Sequence, residues 1–161
     1  MRCTDIMRRL EVLAPLGFAE QWDNVGLLAG RSAKEVKSVY LAVDATDEVI
    51  ADAVDAGADM LITHHPLIFS PLKSITAEHF IGRRVLKLLQ ADICYYAMHT
   101  NFDVMGMADA AADELRLLDR QVLEITCEDE IAKEGIGRYG RLPNVMNLSQ
   151  CAAYVKEVFR L

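Results

Sequence analysis

Three of the four histidines in the chain fall in two short segments: His64-His65-Pro66, and His99 at the head of His99-Thr-Asn-Phe-Asp103. The first follows the apolar run Met60-Leu-Ile-Thr63, which reads as a buried strand, and the second follows Ile93-Cys-Tyr-Tyr-Ala-Met98, which reads as another. Imidazoles and a carboxylate at the ends of two strands are the raw material of a metal site, because open α/β sheets gather ligands beyond the carboxyl ends of their strands. Mixed nitrogen and oxygen ligation from His64, His65 and Asp103 suits Zn, Mn, Fe or Ni better than Ca. Side chains alternate along an extended backbone, and Pro66 biases His65 towards extended geometry. The pair is therefore expected to serve two ions, one ring each, rather than to chelate one together.

His99 has three readings: a third imidazole ligand, an acid–base group that moves a proton, or a histidine bonded to backbone. The second is preferred over the first. His99 and Asp103 are four apart, but Asn101 and Phe102 suggest a strand-exit turn rather than a helix face. His79, near the start of a helix, reads as a surface residue. Trp22-Asp-Asn24 reads as a packing anchor with an Asx turn; alternatively, Glu20 and Asp23 border the metal pocket. Asp44 ends a strand, where it could support a ligand or start a helix, capping being the commoner task.

The elements that must position these residues follow from hydrophobic period and turn chemistry. Thr4 or Asp5 is expected to cap a first helix carrying Ile6, Leu10, Leu13 and Ala14, ended by Pro15-Leu-Gly17. A short strand stops at Gly30, and Val36 to Val43 reads as a second. Thr46 or Asp47 caps a helix through Ala56, with Gly57 as its stop. After the loop containing Pro66 and Pro71, Phe80, Val85, Leu86, Leu88 and Leu89 belong to a helix. From Leu117 onward the pattern changes: Gln121 to Thr126 and Gly135 to Leu142 suggest strands separated by an acidic turn, and Ser149 to Leu161 a helix. Alternating strands and helices indicate an α/β fold, a mainly parallel or mixed sheet flanked by helices. No low-complexity linker or repeat divides the chain.

Gly135-Ile-Gly-Arg-Tyr-Gly140 matches a dinucleotide fingerprint by letter alone, since Arg141-Leu-Pro143 resists the helix that such a site opens. A glycine-rich strand or bulge is expected instead, with Arg138 a candidate contact for an anionic substrate.

Composition narrows the classes. The 161 residues are 52% apolar and carry a net charge of −7, which supports an ordered globule and argues against a nucleic-acid surface. Cys3, Cys94, Cys127 and Cys151 form no C-x-x-C pair, so reduced thiols are expected. No segment has the roughly 20 apolar residues needed to span a bilayer, and the N-terminus lacks a signal-peptide core. A cytoplasmic location with no membrane partner is the expectation.

Taken in order, Glu20-Gln-Trp-Asp-Asn-Val-Gly-Leu27, Gly57 to Phe69, His99 to Asp103 and Gly135 to Gly140 resemble the Nif-three-like dinuclear-metal family, whose members are often labelled homologues of type 2 GTP cyclohydrolase I. The resemblance spans residues 1–161. It implies a toroidal homohexamer of α/β subunits with two divalent ions in each, and His64, His65 and Asp103 as ligands. It also implies a hydrolase acting on a small nucleotide-like substrate, with His99 moving protons; the alternative is a non-catalytic metal-binding scaffold or protein-interaction partner. The family's remaining ligands come from a late His-x-x-x-Glu pattern, and this sequence has no histidine after His99. The chain is thus expected to be the family's N-terminal portion, to lack the C-terminal metal-ligand segment, and alone to bind metal weakly and be inactive.

Overall fold

The computed structural model describes residues 1–128 and 133–161, so the core of the expected acidic turn, Asp129 and Glu130, lies outside the described residues. The chain forms two compact units, Met1–Phe102 and Asp103–Leu161.

The first unit begins with α1 (Cys3–Leu13) and a short 3-10 turn, Leu16–Phe18. Neither Thr4 nor Asp5 caps α1. Its first N–H groups are taken by loop carbonyls, Cys3 by Lys34 O at 2.8 Å and Thr4 by Ser32 O at 2.9 Å, so no side-chain cap is required. Asp5 instead accepts a hydrogen bond from the Arg2 N–H at 3.0 Å. Strands β1 (Gly26–Ala29) and β2 (Val39–Ala42) follow, then α2 (Asp47–Asp55), β3 (Met60–Thr63), α3 (Phe80–Gln90), β4 (Cys94–Ala97) and the single turn α4 (Thr100–Phe102).

The four strands form one mixed sheet in the order β1-β4-β3-β2. β2, β3 and β4 are parallel, and β1 runs antiparallel to β4. Every residue of β3 and β4 is buried, which explains their unbroken apolar runs: central strands covered on both faces need no polar alternation. Along β4 the side chains alternate. Tyr95 joins a core with Ile50 and Ala53 of α2 and Val85 and Leu88 of α3, while Cys94 faces Cys3 of α1. Burial and its neighbour Cys94 push the Cys3 thiol up to about 12, which keeps it protonated and unreactive.

Thr46 caps α2 through its side chain, accepting from the Val49 N–H at 3.2 Å, and Gly57 takes the left-handed conformation (φ 62°) that ends the helix. Gly30 (φ 105°) is also required: a Cβ there would sit 2.8 Å from Cys94 Cα. β2 is shorter than expected because Lys37 and Ser38 turn their N–H groups to the Asp59 carboxylate rather than to a strand.

The second unit holds a π-helical turn, Asp103–Met107, then α5 (Ala108–Glu114), the antiparallel hairpin β5 (Leu118–Glu128) and β6 (Lys133–Arg141), and α6 (Leu148–Phe159). Asn101 and Phe102 are helical rather than a strand-exit turn. The Asn101 side chain accepts the His99 N–H at 3.0 Å and so starts a helical turn where an extended exit was expected. The glycine-rich motif lies in β6, as a strand. A Cβ at Gly140 would meet Leu118 O at 2.6 Å, and one at Gly135 would collide with Glu124 O, so these glycines serve close backbone approach across the hairpin. Among the described residues no helix is long and apolar enough to cross a membrane.

Candidate metal centre

Register places the site. Ala42 of β2, Thr63 of β3 and Ala97 of β4 lie level, so the residues that leave these three parallel strands emerge side by side. Those residues are Asp44, His64 with His65, and His99. The antiparallel β1 enters where the others exit, with Gly26 opposite Ala97, and brings Trp22, Asp23 and Asn24 to the same rim. The ladder continues one step past the strands: His65 N donates to Val43 O at 3.0 Å, and Met98 N to Thr63 O at 2.9 Å.

The three imidazoles converge. Ring centroids are 4.9 Å apart for His64 and His65, 5.2 Å for His64 and His99, and 5.6 Å for His65 and His99. One ligand atom from each lies within 4.8 Å of the others, the spacing of a group able to hold a metal ion. Adjacent side chains on an extended backbone would diverge, but the strand ends at Thr63 and the backbone bends. Thr63 Oγ1 donates to His65 O at 2.8 Å and draws the two rings to one side.

Each ring is oriented through Nδ1. His64 Nδ1 donates to Met98 O at 2.9 Å, His65 Nδ1 to Asp44 Oδ1 at 2.7 Å, and His99 Nδ1 to Asp23 Oδ1 at 2.9 Å. Carbonyl and carboxylate oxygens can only accept, so the proton sits on Nδ1 and the neutral ring carries its lone pair on Nε2. That is the arrangement by which proteins orient metal-binding histidines, and these donors fit a divalent transition metal.

Asp23 is the most firmly held of the supporting groups, its side chain wholly buried. Burial pushes its carboxyl up, but hydrogen bonds from the Thr100 hydroxyl, from His99, and from the Thr100 and Asn24 N–H groups outweigh this and hold it below the usual carboxylate range. Glu20, in contrast, contributes through its backbone: its N–H donates to Thr100 Oγ1 at 2.9 Å and its carbonyl accepts the Asp23 N–H at 2.9 Å. Asp44 supports His65 and leaves the helix cap to Thr46. Trp22 is not a packing anchor: its indole is 57% exposed. His79 is exposed at the start of α3, as expected. Asp103 opens the second unit, one residue after α4.

Sequence reasoning missed Thr63 and Tyr95. The Tyr95 hydroxyl lies 2.7 Å from Thr63 Oγ1, accepts the Leu67 N–H at 2.8 Å and donates to His65 O at 3.1 Å, tying down the histidine loop from the core. The available signals were a Thr closing an otherwise apolar strand and a Tyr inside a buried one. Arg138, the candidate contact for an anion, is already engaged: its side chain is 7% exposed and holds Asp109 at 2.8 Å and Glu134 at 3.2 Å.

Comparison with known proteins accords with this geometry. The chain is 34% identical over 158 residues to a Clostridium perfringens protein named GTP cyclohydrolase 1 type 2 homolog, covering 97% of this chain and 60% of the relative. Among solved structures, Staphylococcus aureus hypothetical protein SA1388 superposes with a TM-score of 0.88 at 30% identity, covering 100% of this chain and 65% of that one. Reduced HcgD from Methanocaldococcus jannaschii gives a TM-score of 0.84 at 31% identity, covering 98% and 60%. The chain therefore spans about three-fifths of the length of such relatives. Residues 1–161 all match the Duf34/NIF3 (NGG1p interacting factor 3) family, and the chain belongs to it.

Proposed function

We propose that the chain supplies the N-terminal share of a dinuclear-metal hydrolase site for a small nucleotide-like substrate. In this reading His64, His65 and Asp103 are ligands and His99 carries protons. The observation that supports it most is the convergence of three imidazoles, each fixed through Nδ1 by an oxygen acceptor. Two divalent ions (Zn, Mn, Fe or Ni) held there would supply Lewis acidity and activate water. His99 is suited to proton transfer because the buried Asp23 carboxylate fixes the orientation and tautomer of its ring. Support for Asp103 comes from its place in the His99–Asp103 motif. Support for a nucleotide comes from the name of the relatives, GTP cyclohydrolase 1 type 2 homolog; under that label a purine ring carbon of GTP would be the position attacked, with a phosphoester as the other target for the same metals. A cytoplasmic homohexamer belongs to the same proposal, and light scattering checks the ring of six.

Metal analysis of the full-length protein, wild type against His64→Ala and Asp103→Ala, tests the ligands. Loss of bound metal in both variants is expected, and full retention in both overturns the assignment. A second reading, a metal-binding scaffold for another protein, is favoured by the family's description as an interacting factor. GTP turnover by the full-length protein, lost in His99→Gln while metal content is kept, decides for the hydrolase; bound metal with no turnover decides for the scaffold.

A further inference from the structure

We infer that Trp22 and Phe69 form an aromatic platform that receives a planar heteroaromatic ring of the substrate at the rim of the imidazole cluster. The inference rests on the nucleotide-like reading above and names the residues that would hold the base.

Trp22 is 57% exposed and Phe69 48% exposed, and their ring centroids lie 5.8 Å apart at 44°. The indole also meets the His99 ring edge-on, 6.2 Å between centroids at 73°. The aromatic surface is therefore continuous with the candidate metal centre. Scattered exposed apolar residues need no explanation, but two large rings in contact beside a polar cluster form a patch of the kind that marks a binding site. Neither ring hangs from a loose loop. Asp23, next to Trp22, is bound by His99 and Thr100. Asn24 Nδ2 donates to the carbonyl of Ile68, next to Phe69, so the two aromatic segments are pegged to each other. A platform fixed in advance loses little entropy on binding.

The chemistry of the neighbourhood selects the occupant. One side offers flat π-faces and the other offers imidazoles fit to hold a divalent cation. A ligand matching both carries a planar ring on one part and, on another, polar or anionic groups that such a cation would draw, which describes a nucleotide. Stacking on aromatic faces accepts any base, because every base has a π-face.

Trp22 is the only tryptophan in the 161 residues, so its emission reports the platform directly. The full chain is titrated with guanosine 5′-monophosphate and, in parallel, with ribose 5-phosphate, which lacks the base. Saturable quenching by the nucleotide alone is expected. Calorimetry should show binding weakened about tenfold in Trp22→Leu and in Phe69→Leu, the change expected for loss of one stack, with Trp22→Phe restoring most of it. Circular dichroism melts establish that each variant is folded. Absence of saturable quenching, equal quenching by ribose 5-phosphate, or weakening below fivefold in both leucine variants overturns the inference. Quenching that tracks protein concentration instead of nucleotide also overturns it, since a second copy then covers the rings. Metal titration of the full-length protein separates the two proposals: metal bound without base sinks the platform alone, and base bound without metal sinks the dinuclear reading alone.

Discussion

Asp23 Oδ1 stands 2.9 Å from His99 Nδ1, with the aspartate side chain fully buried and the histidine 17% exposed. The pair joins the entry of the antiparallel strand to the exit of its neighbour. Asp23→Asn keeps the shape but removes the charge and, with its amide turned towards His99, offers a donor to a donor. Metal affinity or turnover should fall by about 10- to 100-fold, the usual cost of losing a group that orients a ligand. Metal titration and steady-state kinetics check this, with a melting curve to confirm that the fold survives.

Tyr95→Phe removes one hydroxyl and orphans several partners. Leu67 N–H loses its acceptor, and Thr63 Oγ1 and His65 O each lose a contact. Leaving buried polar groups unpaired should cost about 1–3 kcal/mol. Urea unfolding reads the loss. Proton exchange at the Leu67 amide should accelerate by more than that at β4 as a whole.

Asp59 gives a pH dependence of stability. The Lys37 N–H is the chief cause of its lowered pKa; partial burial opposes this, and the Ser38 N–H and Lys34 add to it, so the carboxyl is held at about 2 against an ordinary value of 3.8. A carboxyl depressed in the folded state stabilises fully above its unfolded value. That contribution should persist above pH 3.8 and fade as pH drops from there through about 2. Asp59→Asn should cost about 2 kcal/mol at neutral pH, in line with hydrogen bonds to a charged group. The difference from wild type should shrink across the acid window in chemical denaturation.

Gly135→Ala should open the β5–β6 hairpin, because the added methyl carbon collides with the Glu124 carbonyl, a backbone atom that cannot swing aside. A loss of about 2 kcal/mol or more is expected, in the range for overpacking. Nuclear magnetic resonance shifts should move along both strands, residues 118–128 and 133–141.

Much of the first unit was legible in the sequence because its chemistry sits at the ends of buried parallel strands. Met60–Thr63 and Cys94–Ala97 are continuous apolar runs, and a histidine after each is visible in the letters. The supporting bonds were not legible, because they join positions far apart in the chain: Asp23 to His99, Asp44 to His65, Tyr95 to the loop after Thr63. Local rules assigned those residues to caps, turns and packing. Asp44 looked like a cap, but Thr46 holds that position. The start of α1 and the helical turn after His99 were misjudged for a related reason, since loop carbonyls and the Asn101 side chain replace the expected signals.

Lys34 occupies the opposite rim of the sheet. Its side chain is 10% exposed, and its ammonium lies 3.2 Å from the Asp59 carboxylate and donates to the backbone carbonyls of Asp59 and Asp92. The first unit thus has a mechanical end and a chemical end, separated by the length of one four-residue strand. Evolution or engineering can retune rigidity at one without rewriting reactivity at the other.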